Sequence, residues 1–276
     1  STPTGSSPKI YLPLRGDDAG NNKGTGGDFT VNSGPFTGVR GPSEFWGESA
    51  EFNGTNQNLS STSNLGFDST RIYTVVCSVL QDDGLDCVFD FAGNGPNYNG
   101  IKLEDSGGDY AISIQKADSA NIVLGGPDSG SQIPTDQWNN ILISIDLSST
   151  SKRWFYVNGS VPSTLKWRSY SNEATDLSNI NNCKIGSRKN GSNLLNGKIG
   201  FLYISQEYID FSVEANRLKF FDAFGYPVDL GANGSTPTGN QPLVYMNKGF
   251  HLGTNLGSGS NFTPNNSPTD GGYVKG

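Results

Sequence analysis

The chain has 276 residues, with 19 Lys and Arg against 26 Asp and Glu and a formal net charge of -7. So acidic a chain, with its cations scattered, cannot drive the counterion release on which nucleic-acid binding depends, and nucleic acid is excluded as a partner. Its 37 Gly and 14 Pro are turn chemistry and imply many short strands rather than long helices.

In chain order, the opening Ser1-Thr-Pro-Thr-Gly5 lacks the basic and apolar stretches of a secretion signal. No later apolar run reaches the ~18 residues that a membrane span requires. Tyr73, Val75, Cys77 and Val79 alternate onto one strand face, as do Cys87, Phe89 and Phe91, and Cys183 with Ile185. Three cysteines at such positions predict buried free thiols and folding in a reducing compartment. The alternative is a Cys77–Cys87 bridge between neighbouring strands.

Tyr110, Ile112 and Ile114 form a further period-2 run, followed by Ile141, Ile143, Ile145 and Leu147. Arg153–Val157 and Lys198–Ile204 are apolar on both faces, as central strands buried between layers are. Turn signals separate these runs: Asp83-Gly84, Gly107-Gly108, Asn158-Gly159, Asn190-Gly191 and Asn196-Gly197. Asn158-Gly159 is the strongest of them, because both residues tolerate the positive φ of a type I′ hairpin turn. One helix is predicted over Asp210–Phe224, capped by Asp210 or Ser212 and stopped at Gly225, with Leu218, Phe221 and Phe224 facing inward. Residues 1–230 therefore read as one large β domain, and residues 231–276 as a linker and tail rich in Gly, Asn, Ser, Thr and Pro.

That tail echoes the start of the chain. Ser1-Thr-Pro-Thr-Gly5, Pro8 and Tyr11 recur as Ser235-Thr-Pro-Thr-Gly239, Pro242 and Tyr245. After a one-residue gap, Gly24-Thr-Gly-Gly-Asp-Phe-Thr30 matches Gly257-Ser-Gly-Ser-Asn-Phe-Thr263. Leu243, Val244, Tyr245 and Met246 thus copy the opening strand around Ile10–Leu12 without the partners that follow it there. An unpaired apolar strand seeks an edge, so this strand either packs on its own domain or docks on a neighbour's exposed sheet edge; intersubunit contact by residues 240–276, through these four residues, is the expectation favoured. On that expectation, deleting residues 235–276 leaves a folded domain that no longer assembles.

Several segments resemble the laminin-G-like, or concanavalin A-like, jelly-roll family. They are Lys9–Gly16 with Gly24–Asn32, Ser49–Gly54, Arg71–Ser78, Gln137–Ser144 with Arg153–Gly159, and Lys184–Gly186 with Asn196–Ile204. The resemblance spans about residues 8–225 and rests on strand edges and turns more than on chemistry. It implies an all-β fold of two antiparallel sheets packed face to face, closed by one short helix and an extended tail.

Some members of that superfamily hydrolyse glycosides with paired carboxylates on one strand face, about 5–5.5 Å apart. No glutamate here makes the required spacing, and Glu104-Asp105 runs straight into a Ser-Gly-Gly turn. The single histidine, His251, lies in the tail. An enzyme is therefore not expected.

The resemblance also implies calcium as an ion to consider. Asp82, Asp83 and Asp86 surround Gly84 in one loop, and oxygen-rich loops suit it, although acidic turns are commonly just solvated. No other cofactor is expected. Trp167 and Tyr170 are candidates for a sugar-stacking platform, the alternative being that Trp167 covers the core edge.

The expected function is a non-enzymatic structural or appendage protein of a virus particle, a phage head decoration or tail fibre. Other virion proteins, further copies of the chain and host glycans would be its partners. The alternative is a secreted bacterial lectin or carbohydrate-binding module, with an extracellular location in place of a virion assembled in the bacterial cytoplasm.

Overall fold

The computed structural model describes residues 48–82, 86–95, 99–105, 110–116, 120–128, 134–135, 137–247 and 252–273. The expectations placed on Lys9–Gly16, Gly24–Asn32, Asp83-Gly84, Gly107-Gly108 and His251 lie outside the described residues. The described strands begin with β1 (Glu48–Asn53), β2 (Asn58–Ser61), β3 (Ser69–Thr70), β4 (Ile72–Gln81), β5 (Cys87–Ala92) and β6 (Gly100–Asp105). They continue with β7 (Tyr110–Gln115), β8 (Asn121–Pro127), β9 (Trp138–Asp146), β10 (Arg153–Val157) and β11 (Leu165–Tyr170). The last are β12 (Thr175–Asp176), β13 (Asn182–Ile185), β14 (Asn196–Ser205), β15 (Val244–Met246), β16 (Thr263–Asn265) and β17 (Thr269–Tyr273).

Two large antiparallel sheets form the expected jelly-roll sandwich. The first runs β10-β9-β4-β14-β1-β17, with β15 on β14 beyond the end of β1; the second runs β11-β8-β7-β6-β5-β13-β2-β16. The period-2 runs aim where alternation requires. Val75, Cys77, Val79, Ile141, Ile143 and Ile145 from one sheet meet Phe89, Phe91, Ile101, Leu103, Ile112 and Ile114 from the other in one core. All three cysteines are free and buried. Burial pushes the thiols of Cys77, Cys87 and Cys183 far up from the ordinary range, so they remain neutral. Asn158 and Gly159 have φ of 49° and 79°, the left-handed pair that the turn reading requires.

The first sheet is also apolar on its outer face. There Val76, Leu142, Tyr156, Phe201 and Tyr203 are covered by Ile209, Phe211, Phe220, Phe221, Leu230 and Tyr245. This cover accounts for strands β10 and β14 being apolar on both faces. It also corrects the helix expectation. The helix α1 is the single turn Glu214–Arg217, with Val213 at its N-cap and no side-chain cap. Phe211, Phe220 and Phe221 point onto the sheet, while Leu218 and Phe224 are 42% and 61% exposed. Edge-to-face contacts with Tyr203 (5.0 Å) and Phe201 (6.0 Å) draw Phe220 and Phe221 inward together, and two adjacent positions cannot share one helical face. Tertiary packing of the aromatics thus ends the helix after one turn.

Of the two places expected for the tail strand, the structure shows the one on its own domain. Val244, Tyr245 and Met246 pair in register with Ile204, Tyr203 and Leu202 of the same chain, and Leu243 donates its N–H to the Ile204 carbonyl at 3.0 Å. Val244 and Tyr245 are fully buried. Strand β16 then extends the second sheet beside β2, and β17 extends the first beside β1. The strand expected to need a neighbour therefore has its ladder partner at home.

Candidate functional site

The covering segment leaves a groove of about 460 Å³ over one end of the first sheet. Its floor comes from the start of β9, its side from the Asn158-Gly159 turn, and its far wall from Glu214–Gly225. A volume of this order is that of a small-ligand site, roughly 300–1,000 Å³.

Hydrogen bonds fix the floor. The Asn140 backbone N–H donates to Asn158 Oδ1 at 2.8 Å, and Asn158 Nδ2 donates to Asn139 Oδ1 at 3.0 Å. Asn140 Nδ2 donates to the Gly225 carbonyl at 2.5 Å, while its Oδ1 accepts from the Ser78 hydroxyl. The left-handed φ of Asn158 is what turns its side chain back along β9, so the turn and the floor form one unit.

The far wall is equally tied. Asp222 Oδ1 accepts from the backbone N–H groups of Phe224 (2.9 Å) and Tyr226 (3.0 Å), and Gly225 takes a φ of 81°. This tight loop lifts the Phe224 ring outward. Arg217 donates from Nη1 to the Phe211 carbonyl at 2.5 Å, with its guanidinium 4.7 Å from the Tyr156 ring centroid. The groove therefore sets a half-buried Trp138 and an exposed Phe224 around amide, carboxylate and guanidinium groups.

The sequence-based candidates lie elsewhere. Trp167 and Tyr170 are half-buried on β11, the edge strand of the second sheet. The Arg153 guanidinium, from the edge strand β10, lies 5.2 Å from the Trp167 ring centroid and 4.6 Å from that of Tyr170. The Tyr170 hydroxyl donates to the Leu147 carbonyl at 2.5 Å. A Cβ at Gly125 would overlap the Trp167 ring, so that ring rests directly on β8 backbone. The arrangement clamps the two sheet edges together, with its aromatic surface taken up by Arg153 and Gly125.

In the acidic loop, Asp82 is exposed and Asp86 is buried; Asp83 lies outside the described residues. Among the described residues, no group of three or more His, Cys, Asp or Glu is placed to hold a metal. Glu104 is bound by Lys102 and Arg188, both at 2.5 Å, and Asp105 accepts from Gln81 Nε2 at 3.2 Å. Successive strand residues leave on opposite faces, so these two carboxylates do not form a pair. No described helix is long and apolar enough to cross a membrane.

Sequence reasoning missed the groove because its parts come from three segments, 137–142, 158–159 and 214–225, which only the outer packing of the first sheet brings together. The Asn158-Gly159 turn signal was the one legible part.

No family model matches the chain, and no curated protein matches it. Among solved structures it resembles a putative carbohydrate binding protein from Bacteroides ovatus at 16% identity and a TM-score of 0.49, covering 83% of this chain and 62% of that one. A heptameric SAP-like pentraxin from Limulus polyphemus aligns at 15% identity and a TM-score of 0.45, over 62% of this chain and 81% of that one. The NanB sialidase from Streptococcus pneumoniae aligns at 16% identity and a TM-score of 0.47, over 67% of this chain and 28% of the sialidase. The chain thus spans less than two thirds of the Bacteroides protein and about a quarter of the sialidase.

Proposed function

We propose that this domain is a non-enzymatic glycan-binding module whose ligand lies in the groove between β9 and Glu214–Gly225. The observation that carries this reading is the juxtaposition of Phe224 and Trp138 with a floor of hydrogen-bonded amides. A sugar presents an apolar C–H face and a rim of hydroxyls. It needs an aromatic surface for the first and fixed donors and acceptors for the second. The locked positions of Asn140 and Asn158 supply the rim contacts without ordering cost on binding.

The chemistry of the groove favours binding over turnover. Asp222 is committed to the backbone of its loop, and Glu214 sits exposed on a single helical turn. Hydrolysis asks for two carboxylates held about 5–10 Å apart across the scissile bond, one of them kept protonated by burial. The groove supports the glycan half of the expectation and does not bear on the virion half.

The test is a glycan array probed with the wild-type chain and with Phe224→Ala. Because Phe224 is 61% exposed, its removal leaves the fold intact. We expect the variant to bind the recognised glycan about tenfold more weakly, the equivalent of about 1.4 kcal/mol of lost stacking. Equal binding by both proteins, or release of reducing sugar by either, overturns the reading.

A further inference from the structure

On the outer face of the first sheet, residues paired in register across neighbouring strands point the same way and form rows. One row is Asn140, Ser78 and Phe201, from β9, β4 and β14, and all three are buried. The covering segment lies on it. Asn140 Nδ2 donates to the Gly225 carbonyl at 2.5 Å, and the Phe221 ring meets Phe201 edge-to-face at 6.0 Å. The next row is Trp138, Leu80, Lys198, Glu51 and Thr269, from β9, β4, β14, β1 and β17. Its first four residues are half-buried and Thr269 is exposed, so the cover ends between the two rows. Trp138 lines the groove, which therefore opens onto a ledge that crosses the sheet.

The ledge has the length and the chemistry of a sugar chain. Trp138 and Glu51 lie three strand spacings apart, about 14 Å at about 4.8 Å per spacing. A pyranose unit is about as long as one spacing, which leaves room for roughly two or three units beyond the one against Phe224. Leu80 continues the apolar surface of Trp138 for ring C–H groups. The Lys198 ammonium and the Glu51 carboxylate then face each other at 3.8 Å, with side chains 28% and 43% exposed. That separation exceeds a direct hydrogen bond, and a sugar hydroxyl, which donates and accepts at once, can bridge such a pair.

The charges select the class of chain. The groove sets Glu214 and Asp222 against Arg217, whose Nη1 donates to the Phe211 and Ser212 carbonyls. The ledge adds one charge of each sign. The described residues of groove and ledge thus carry more carboxylates than cations and disfavour a glycan that bears carboxylate or sulfate. We infer that the ligand is a neutral, linear oligosaccharide, held at one end against Phe224 and Trp138 and laid across the strands along Leu80, Lys198 and Glu51. The inference rests on the glycan reading. It adds the length and charge of the ligand, and two residues that grip the chain beyond its end.

The experiment is isothermal titration of the full chain with neutral gluco-, xylo-, manno- and galacto-oligosaccharides of two to six units. In the series that binds, affinity should rise about tenfold from the disaccharide to the tetrasaccharide and then level off. Lys198→Ala and Glu51→Gln should each weaken the tetrasaccharide about fivefold, the worth of about one hydrogen bond. Both should leave the disaccharide unchanged, which also shows that the variants are folded. Phe224→Ala should weaken every length by the same factor, and added sodium chloride should change none of these affinities. Affinity that stays flat beyond the disaccharide, a tetrasaccharide indifferent to both ledge substitutions, or binding by none of the neutral series overturns the inference. The glycan reading survives those results if Phe224→Ala still weakens binding to a charged or single-unit glycan on the array, and falls with them if it does not.

Discussion

Replacing Phe262 with alanine probes the least expected feature of the fold, the insertion of the tail into the main core. The ring is 4% exposed, belongs to the cluster shared by both sheets, and stacks on Phe91 with centroids 5.8 Å apart. Truncating a buried phenylalanine loses its transfer free energy and leaves a cavity, together about 3–5 kcal/mol. Here the lower end applies, because Phe262 sits on a segment anchored mainly by its N–H donating to the Gly253 carbonyl at 2.7 Å and by the short strand β16, which can settle toward the void. We expect a loss of about 3 kcal/mol, measured as a fall in the urea midpoint at unchanged slope. Phe224→Ala is the control, with an expected change within about 0.5 kcal/mol. A cost below about 1 kcal/mol for Phe262→Ala, or one equal to the control, would mean that the tail does not enter the core.

Two further outcomes follow from buried groups. Cys77, Cys87 and Cys183 are buried neutral thiols, so an alkylating reagent should leave all three unmodified in the native protein and modify all three after unfolding without reductant. A peptide linking any two of them would contradict this. At Asp146, burial pushes the carboxyl up, but the Lys152 ammonium at 2.8 Å and the Ser148 N–H at 2.9 Å outweigh it and hold the pKa at about 2. An unfolded aspartate titrates near about 3.9, so this pairing stabilises the fold above that pH and the contribution is lost as pH falls toward 2. With Lys152 partly solvated, the contribution is about 1–2 kcal/mol. Asp146→Asn should therefore be less stable at pH 6 and should flatten the decline between pH 4 and pH 2; an unchanged decline would show that other carboxylates cause it.

The sandwich was legible because strand alternation is local. Ile141, Ile143 and Ile145 face the core as their spacing dictates, and Asn158-Gly159 adopts the positive φ pair that its residue types permit. The both-faced apolar run at Lys198–Ile204 correctly announced a central strand with a layer outside the first sheet, whereas Arg153–Val157 is that sheet's half-buried edge strand, its outer face covered only in part. Which residues form that layer was not legible. Phe211, Phe220 and Phe221 obey the shape of the sheet beneath them rather than a helical period, which is why the expected helix shrinks to Glu214–Arg217. The repeat placed the tail strand correctly in sequence but could not say which edge it joins, since edges are a tertiary property. The Trp167–Tyr170 pair carried the right residue types for sugar stacking. Only the structure shows Arg153 lying over both rings.

The central claim is that the groove beside Asn158 binds a glycan, and the most direct measurement is a titration followed by NMR. With the glycan selected on the array, the Trp138 indole N–H and the side-chain amides of Asn140 and Asn158 should shift together along one saturable curve. The Trp167 indole N–H should stay in place. Shifts centred on Trp167 and Tyr170, or a saturable curve that leaves Trp138, Asn140 and Asn158 unmoved, would contradict the account.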